Sequence, residues 1–382
     1  MARPEDAHVV VLNTCAVTTQ AARRSRKRVG ALHGRNPSAK LVLTGCYAEL
    51  APDEVAVLAG VDRVIGNRDK DELVAAVSAM PAAQMPELAT EPDAAIFARG
   101  RTRAFVKVSD GCRNRCSFCV VTIARGDERS VAIPSIVDEV NTRYQDGFRE
   151  VVLTGVHLGG YGEDLGASLT EMIATVLAET EMPWIRFGSL EPWDLPEDFF
   201  ALWDDPRLCP HLHLPLQSGS DSVLRRMARR TSTIQYRRLA ERARLAGIDL
   251  TTDLIVGFPG ETEAEFEGSM NFAREMAFSG MHLFRYSPRQ GTVAAKMSGQ
   301  VAGDIKRHRM RRAQELAAEL KSHRLSAEVG RTADVHWEAE GRGYTSSYFR
   351  VRSGGDTTPV RNSFERVRVL AEDSGLLVVA RE

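Results

Sequence analysis

Short apolar runs rich in β-branched residues alternate with amphipathic stretches along most of the chain. Near the start, "HVVVLN" (8–13) reads as a buried strand, and "TTQAARRSRKRVGALH" (18–33) follows as a helix. "KLVLTG" (40–45) is a second strand. A helix opened by Pro52, Asp53 and Glu54, the strand "DRVIG" (62–66) and the helix "KDELVAAVSAM" (70–80) complete a βαβαβα series. That series predicts parallel strands in a doubly wound α/β layer. Periodicity is lost over 81–100, where Pro81, Pro86 and Pro92 collect among alanines, the pattern of a linker.

The alternation resumes from 104 on a larger scale. Strands are predicted at "AFVKVS" (104–109), "EVVLTG" (150–155), "WIRFGS" (184–189), "HLHLPL" (211–216), "DLTTDLIVG" (249–257) and "GMHLFRYS" (280–287). Helical patterns at 135–146, 168–179, 233–246 and 262–277 fall between them. Six strand–helix units predict a partial (β/α)6 barrel of the TIM type, with function at the C-terminal strand ends. Residues 303–328 form a long helical pattern with a basic start, "KRHRMRR" (306–312). The tail turns to short β segments separated by glycines, "ADVHWEAE", "SYFRVRS", "RVRVLAE" and "GLLVVARE", which predict a small antiparallel β-barrel. The expected organisation is 1–80, a linker at 81–100, a core at 101–328 and a barrel at 329–382.

Composition narrows the function only slightly. The 382 residues carry 50 basic and 51 acidic side chains, so any nucleic-acid surface must be local rather than global. Six cysteines are too sparse for a disulfide scaffold and point to metal or redox use in a reducing compartment. The first residues lack the pattern of a secretory signal, and no apolar run approaches the ~18 residues of a membrane span. The expectation is a soluble, cytoplasmic protein with no membrane partner.

The concentrated chemistry lies in "DGCRNRCSFCVV" (110–121), where Cys112, Cys116 and Cys119 are spaced C-x3-C-x2-C after a strand. A structural zinc site takes four ligands and disulfides take pairs, so three thiolates leave a vacancy. Three thiolates can hold three irons of a [4Fe–4S] cluster and leave the fourth open to chelate S-adenosylmethionine, whose reductive cleavage yields a radical. Phe118 would pack over the cluster or the adenine. A zinc loop with a distant fourth ligand, or unrelated buried thiols, is the competing reading.

"DGCRNRCSFCVVTIARGDERS" resembles the radical S-adenosylmethionine methylthiotransferases, and the resemblance extends through "VLNTCAVT", "LTGCYAE", "LTGVHLGGYG", "GSLEPWD", "HLHLPLQSGSD", "DLIVGFPGET" and "FRYSPRQGT". "LTGVHLGGYGEDL" is most similar to the branch acting on N6-threonylcarbamoyladenosine in tRNA; the isopentenyladenosine and ribosomal-protein branches differ there. The resemblance implies insertion of sulfur and a methyl group at C2 of the adenine beside the anticodon, position 37. It implies a tRNA anticodon stem-loop as partner, and an electron donor such as flavodoxin or ferredoxin. The sulfur donor is left unidentified. The competing readings are a sister methylthiotransferase acting on isopentenyladenosine or a ribosomal protein and, from a different class, a non-catalytic iron–sulfur or zinc RNA-binding protein.

The family carries a second, auxiliary [4Fe–4S] cluster on three cysteines of its first domain. Cys15 and Cys46, each ending a strand, match two of them, at the end of a parallel sheet where ligands bind. The family's remaining cysteine lies earlier, in a segment resembling "LGCKVN", which has no counterpart after Met1. The expectation is an incomplete ligand set in a truncated first domain, from a mis-assigned start or a genuine shortening.

Cofactor contacts are expected at other strand ends. Gly155, with Gly159 and Gly160, permits close backbone approach. Ser189 and Glu191 offer hydrogen bonds to ribose or amino groups, Gln217 and Ser218 lie at a further strand end, and Arg229 suits the cofactor carboxylate. Asp221 is expected to cap a helix, and Thr262 with Glu265 to form a capping box. Phe284, Tyr286 and Arg289 close the barrel, and Cys209, which precedes a strand, is expected to be a buried structural thiol. Basic runs at 23–28 and 306–312 read as RNA contacts or solvated helix faces. The tail resembles the TRAM-like RNA-binding barrel of these enzymes, where Arg342, Tyr344, Tyr348, Phe349, Arg350 and Arg352 suit stacking and phosphate contact.

Overall fold

The computed structural model describes residues 3–16, 18–78, 102–339, 341–355 and 358–382, so the predicted linker at 81–100 lies outside the described residues. The chain forms two compact units. One gathers residues 3–78 with 111–127 and 287–296; the other holds 102–110, 128–286 and 297–382. The cysteine loop therefore packs with the first domain.

In the first unit β1 (Val9–Thr14), β2 (Lys40–Gly45) and β3 (Val61–Val64) form a parallel sheet in that order. β-Branched residues favour the pleat, and Leu41, Val42 and Leu43 in the central strand are completely buried. The helix Thr19–Arg35 begins where the Thr18 hydroxyl accepts the Ala21 N–H, and it buries Ala22, Val29 and Leu32 while its arginines face solvent. The helix expected to open at Pro52 is Pro52–Ala56, and a second short helix, Cys46–Leu50, precedes it. Pro52 supplies no N–H and so begins a new helix more readily than it continues one.

In the second unit all six predicted long strands are present. β4 (Arg103–Lys107), β7 (Glu150–Thr154) and β8 (Trp184–Phe187) form one parallel sheet. β9 (His211–His213), β10 (Asp249–Val256) and β11 (Gly280–Arg285) form another. Bridges from Ile185 to Leu208 and from Ser189 to His213 connect them into a partial barrel with β4 and β11 at its edges. A small antiparallel pair, β5 (Ser109–Asp110) with β6 (Arg129–Ser130), is too short to have shown in the pattern. Thr262 and Glu265 form the expected capping box. Asp221 does not cap its helix; it is the first helical residue, and its carboxylate accepts the Thr233 N–H at 2.7 Å and hydroxyl at 3.1 Å.

The tail forms a closed barrel of β12 (Thr332–Ala339), β13 (Arg342–Thr345), β14 (Arg350–Ser353), β15 (Phe364–Asp373) and β16 (Leu376–Arg381), ordered β12-β13-β14-β16-β15. The expected antiparallel barrel needs one correction, because β14 pairs with β16 in parallel and this pairing closes it. β13 escaped the sequence reading because Gly343 interrupts it. A Cβ there would sit 2.4 Å from the His336 carbonyl, so close strand approach demands the glycine.

This barrel docks on the core through a buried charge network. Arg186 donates to Glu150 at 2.6 Å and to the carbonyls of Ser346 and Thr345 at 2.7 and 2.9 Å. His336 Nδ1 lies 2.8 Å from the other Glu150 oxygen, and Asn362 donates to the Gly147 carbonyl. Burial alone would raise the Glu150 pKa, yet His336 and then Arg186 hold it below the usual carboxylate range. Its stabilisation is therefore present at neutral pH and lost as pH falls through that depressed value. Glu150→Ala, which strands Arg186, is expected to cost about 3–5 kcal/mol. Urea unfolding at neutral pH checks this; a loss below about 1 kcal/mol would deny the network its role.

Candidate active site

The cysteine loop is shaped by its backbone. Gly111 (φ 78°) and Arg115 (φ 35°) take left-handed conformations that turn the chain between thiols. The Cys112 N–H donates to the Gly126 carbonyl at 3.1 Å and the Cys119 N–H to the Cys116 carbonyl at 3.0 Å. Two further amides aim at sulfur: Asn114 N–H at Cys112 Sγ (3.5 Å) and Val121 N–H at Cys119 Sγ (3.4 Å). Amides directed at sulfur stabilise thiolates, and hydrogen bonds of this kind tune iron–sulfur potentials. Three soft donors on one loop, with amides already pointing at two of them, fit a cluster of three protein ligands. Phe118 lies half-buried beside them.

Cys15 and Cys46 follow paired residues of adjacent strands, Thr14 opposite Gly45, so the register brings both to one sheet end. The approach is tight, since a Cβ on Gly45 (φ 96°) would stand 2.3 Å from the Thr14 carbonyl. Cys15 is exposed and Cys46 buried. Asn67, which the sequence reading missed, donates to Cys46 Sγ at 3.7 Å and to the Ala124 carbonyl at 3.0 Å. It ties the second thiol to the helix that follows the cysteine loop. Cys209 is buried with its thiol pushed up to about 12 by desolvation, as an inert structural thiol should be.

The other predicted contacts lie in the second unit. Glu191, just beyond β8, has a buried Oε2 with no hydrogen-bond partner, and burial raises its pKa. A buried carboxylate oxygen without a donor fits a ligand that brings one, and S-adenosylmethionine carries both ammonium and hydroxyl groups. Arg229 stacks on Trp193 at 4.2 Å and donates to the Pro215 carbonyl. Ser218 is engaged by Ser269 at 3.1 Å, so it shapes the strand end. Gln217 is buried with φ 76° and pairs through its backbone with Asp253 and Ile255. The space beside three glycines is filled by side chains: Ser109 at Gly155, Asp194 at Gly159 and Glu128 at Gly160.

Those two carboxylates converge on His157, also missed although it lies inside a quoted motif. Its Nδ1 donates to Glu128 at 3.1 Å and its Nε2 to Asp194 at 2.7 Å, with Glu191 at 3.8 Å. Burial opposes its charge, but the bonds to Asp194 and Glu128 win and raise its pKa to about 10.

Residues of β4, β7, β8, β9, β10 and β11 line a cavity of about 720 Å3 with the helix Gly303–Ser326 and the C-terminal barrel. Ser189 and Asp253 stand at its wall, and Asp253 accepts from His213 at 3.1 Å. Among the described residues, four cations line it, Arg103, Arg186, Lys321 and Arg350, against Asp253 as the single carboxylate. His211 is held well below its ordinary pKa by burial and Arg186, and is neutral. Tyr348 stacks between His211 and Tyr344 at 5.0 Å from each, and three of the barrel's expected stacking aromatics, Tyr344, Tyr348 and Phe349, line this cavity. The basic run 306–312 is partly internal, because buried Arg309 pairs with Glu261 and Glu263, and Arg312 with Glu263 and Glu267. The run at 23–28 is largely exposed. Among the described residues, no helix is long and apolar enough to cross a membrane.

His157 contributes stability that is complete below its ordinary value of 6.5 and lost as pH rises through about 10. His157→Gln is expected to lower Tm at pH 6 and to leave the variant and the wild type converging towards pH 10. A Tm difference unchanged across that range would assign the loss to packing alone.

The Radical SAM superfamily profile matches residues 106–273, and that of the uncharacterised family UPF0004 matches residues 1–66. The threonylcarbamoyladenosine tRNA methylthiotransferase MtaB of Thermotoga maritima is 35% identical over 335 residues, covering 85% of this chain and 77% of that protein. The Bacillus subtilis protein of that name is 34% identical, covering 91% and 82%. A tRNA-2-methylthio-N(6)-dimethylallyladenosine synthase of Endomicrobium trichonymphae is also 34% identical, covering 84% and 78%. The fold is similar to that of the radical S-adenosylmethionine methyltransferase TsrM of Kitasatospora setae, with TM-score 0.59, 14% identity, and coverage of 75% of this chain and 64% of that one. With relatives this similar over most of their length, the chain belongs to the radical S-adenosylmethionine methylthiotransferase family.

Proposed function

We propose that this enzyme places a methylthio group on C2 of N6-threonylcarbamoyladenosine beside the anticodon of tRNA, at position 37. Relatives acting on threonylcarbamoyl- and dimethylallyladenosine match it almost equally, so overall identity does not choose between them. The observation that carries the choice is the cavity wall, with four cations and one carboxylate. A substituent ending in a carboxylate is complementary to those cations, whereas a hydrocarbon substituent leaves them unmatched.

In this reading Cys112, Cys116 and Cys119 hold a [4Fe–4S] cluster, and Cys15 and Cys46 contribute to a second. When bound, these clusters with S-adenosylmethionine supply the radical that removes an unactivated aromatic hydrogen and the sulfur that replaces it. The chain's own residues orient and insulate. The amides of Asn114 and Val121 stabilise negative charge on sulfur. Glu191 accepts from the cofactor through its unpartnered oxygen, with Ser189 and Gln217 at neighbouring strand ends. Arg229, braced by Trp193 and Pro215, completes the cofactor's surroundings. A flavodoxin or ferredoxin is the proposed electron donor.

Mass spectrometry of tRNA nucleosides from a deletion strain tests the substrate. The 2-methylthio derivative of threonylcarbamoyladenosine is expected to vanish, and to return with the wild-type gene but not with Cys116→Ala. Loss of the isopentenyl derivative instead would overturn the assignment. In the purified protein, replacing Cys112, Cys116 and Cys119 together by alanine should remove about four irons per chain and abolish cofactor cleavage. Cleavage retained in that variant would refute the role given to the loop.

A further inference from the structure

We propose that Lys321 and Arg350 form a carboxylate-binding subsite in the cavity wall, which reads the anionic end of the substituent on the target base. The inference rests on the threonylcarbamoyladenosine reading and names the residues that carry its specificity.

The other charges on the wall are already committed. Arg186 is held by Glu150 and two carbonyls. Arg103 pairs with Glu338 at 2.9 Å and donates to the Tyr348 hydroxyl at 3.2 Å. Asp253 is engaged by His213, and His211 is neutral. Lys321 and Arg350 remain, and among the described residues neither forms an ion pair with a carboxylate. Glu372 is the acid that acts on Lys321, but its Oε1 accepts the Gly375 N–H at 2.8 Å and its Oε2 the Ser322 hydroxyl at 3.5 Å.

Both cations stand on rigid elements. Lys321 is in the last turns of the helix Gly303–Ser326, which Leu325 anchors in the core of the C-terminal barrel. Arg350 begins β14, paired in register with Tyr344 of β13. The fold thus brings two positive groups to one cavity, with neither held in an ion pair among the described residues and only Glu372, itself hydrogen-bonded to Gly375 and Ser322, acting on Lys321. Partial burial and then Arg350 depress the Lys321 pKa, the mark of mutual repulsion. An anion between them relieves that repulsion. A carboxylate suits the pair, since it accepts the guanidinium fork on one side and a point charge on the other. The threonyl group of the proposed substrate ends in a carboxylate; the isopentenyl group ends in methyls.

Backbone phosphates of the same RNA are the other anions in reach, and stem-loop comparison separates them. Anisotropy with the reconstituted full chain would measure affinity for one anticodon stem-loop carrying threonylcarbamoyladenosine, isopentenyladenosine or plain adenosine. The wild type is expected to favour the first. Lys321→Met and Arg350→Gln should each lose about tenfold on that stem-loop and less than about twofold on the others, while Lys321→Arg keeps most of the preference. Equal losses on all three stem-loops would show phosphate contact, and no loss would show no contact; either overturns the subsite. Circular dichroism melting checks that each variant folds, and failure of Lys321→Met alone leaves Arg350→Gln to decide. If the wild type methylthiolates isopentenyladenosine and not threonylcarbamoyladenosine, the parent reading has failed instead.

Discussion

A buried carboxylate at the start of one strand holds the second unit in its working form. Glu150 is fully removed from water, and such a charge persists only if its neighbours replace the lost hydration. Arg186 supplies that replacement from the next strand and His336 from the C-terminal barrel. Once Arg186 is fixed by Glu150, its remaining donors are aimed at the carbonyls of Thr345 and Ser346. The turn that follows carries Tyr348, a residue at φ 68°, onto the His211 ring. One electrostatic requirement therefore seats the barrel and walls the cavity. A barrel read only as an RNA-binding appendage is also a structural side of the site.

Legibility in the sequence followed the range of the interactions. The six long strands and the helices between them were readable because burial on a sheet or helix face imposes a local period. The Thr262 capping box was readable for the same reason, since its partners lie three residues apart. The cysteine loop was readable because its three thiols are close in sequence. What escaped depends on partners far along the chain. Nothing local says that Asp221 serves Thr233, that Arg309 is absorbed by Glu261, or that β14 and β16 run parallel. His157 lay inside a quoted motif, but its partners Glu128 and Asp194 are 29 and 37 residues away. The glycines beside it were read as room for a ligand, and the room belongs to those two carboxylates.

Comparing His157 with Glu191 separates structure from function at the strand ends. His157 has a carboxylate on each ring nitrogen, so its charge is fully compensated and its role is to hold three loops together. Glu191 Oε2 stands 3.8 Å from the same ring, close enough for an ion pair, but accepts no hydrogen bond among the described residues, which costs stability. Proteins keep such costs where a ligand later removes them. Lys321 and Arg350 present a related pattern with the opposite sign, as cations on one cavity wall with neither in an ion pair among the described residues. The saturated groups build the cavity and the unsaturated ones face what enters it. On the proposed reading, Glu191 would receive the cofactor's donors, and the two cations would receive the substrate's negative charge.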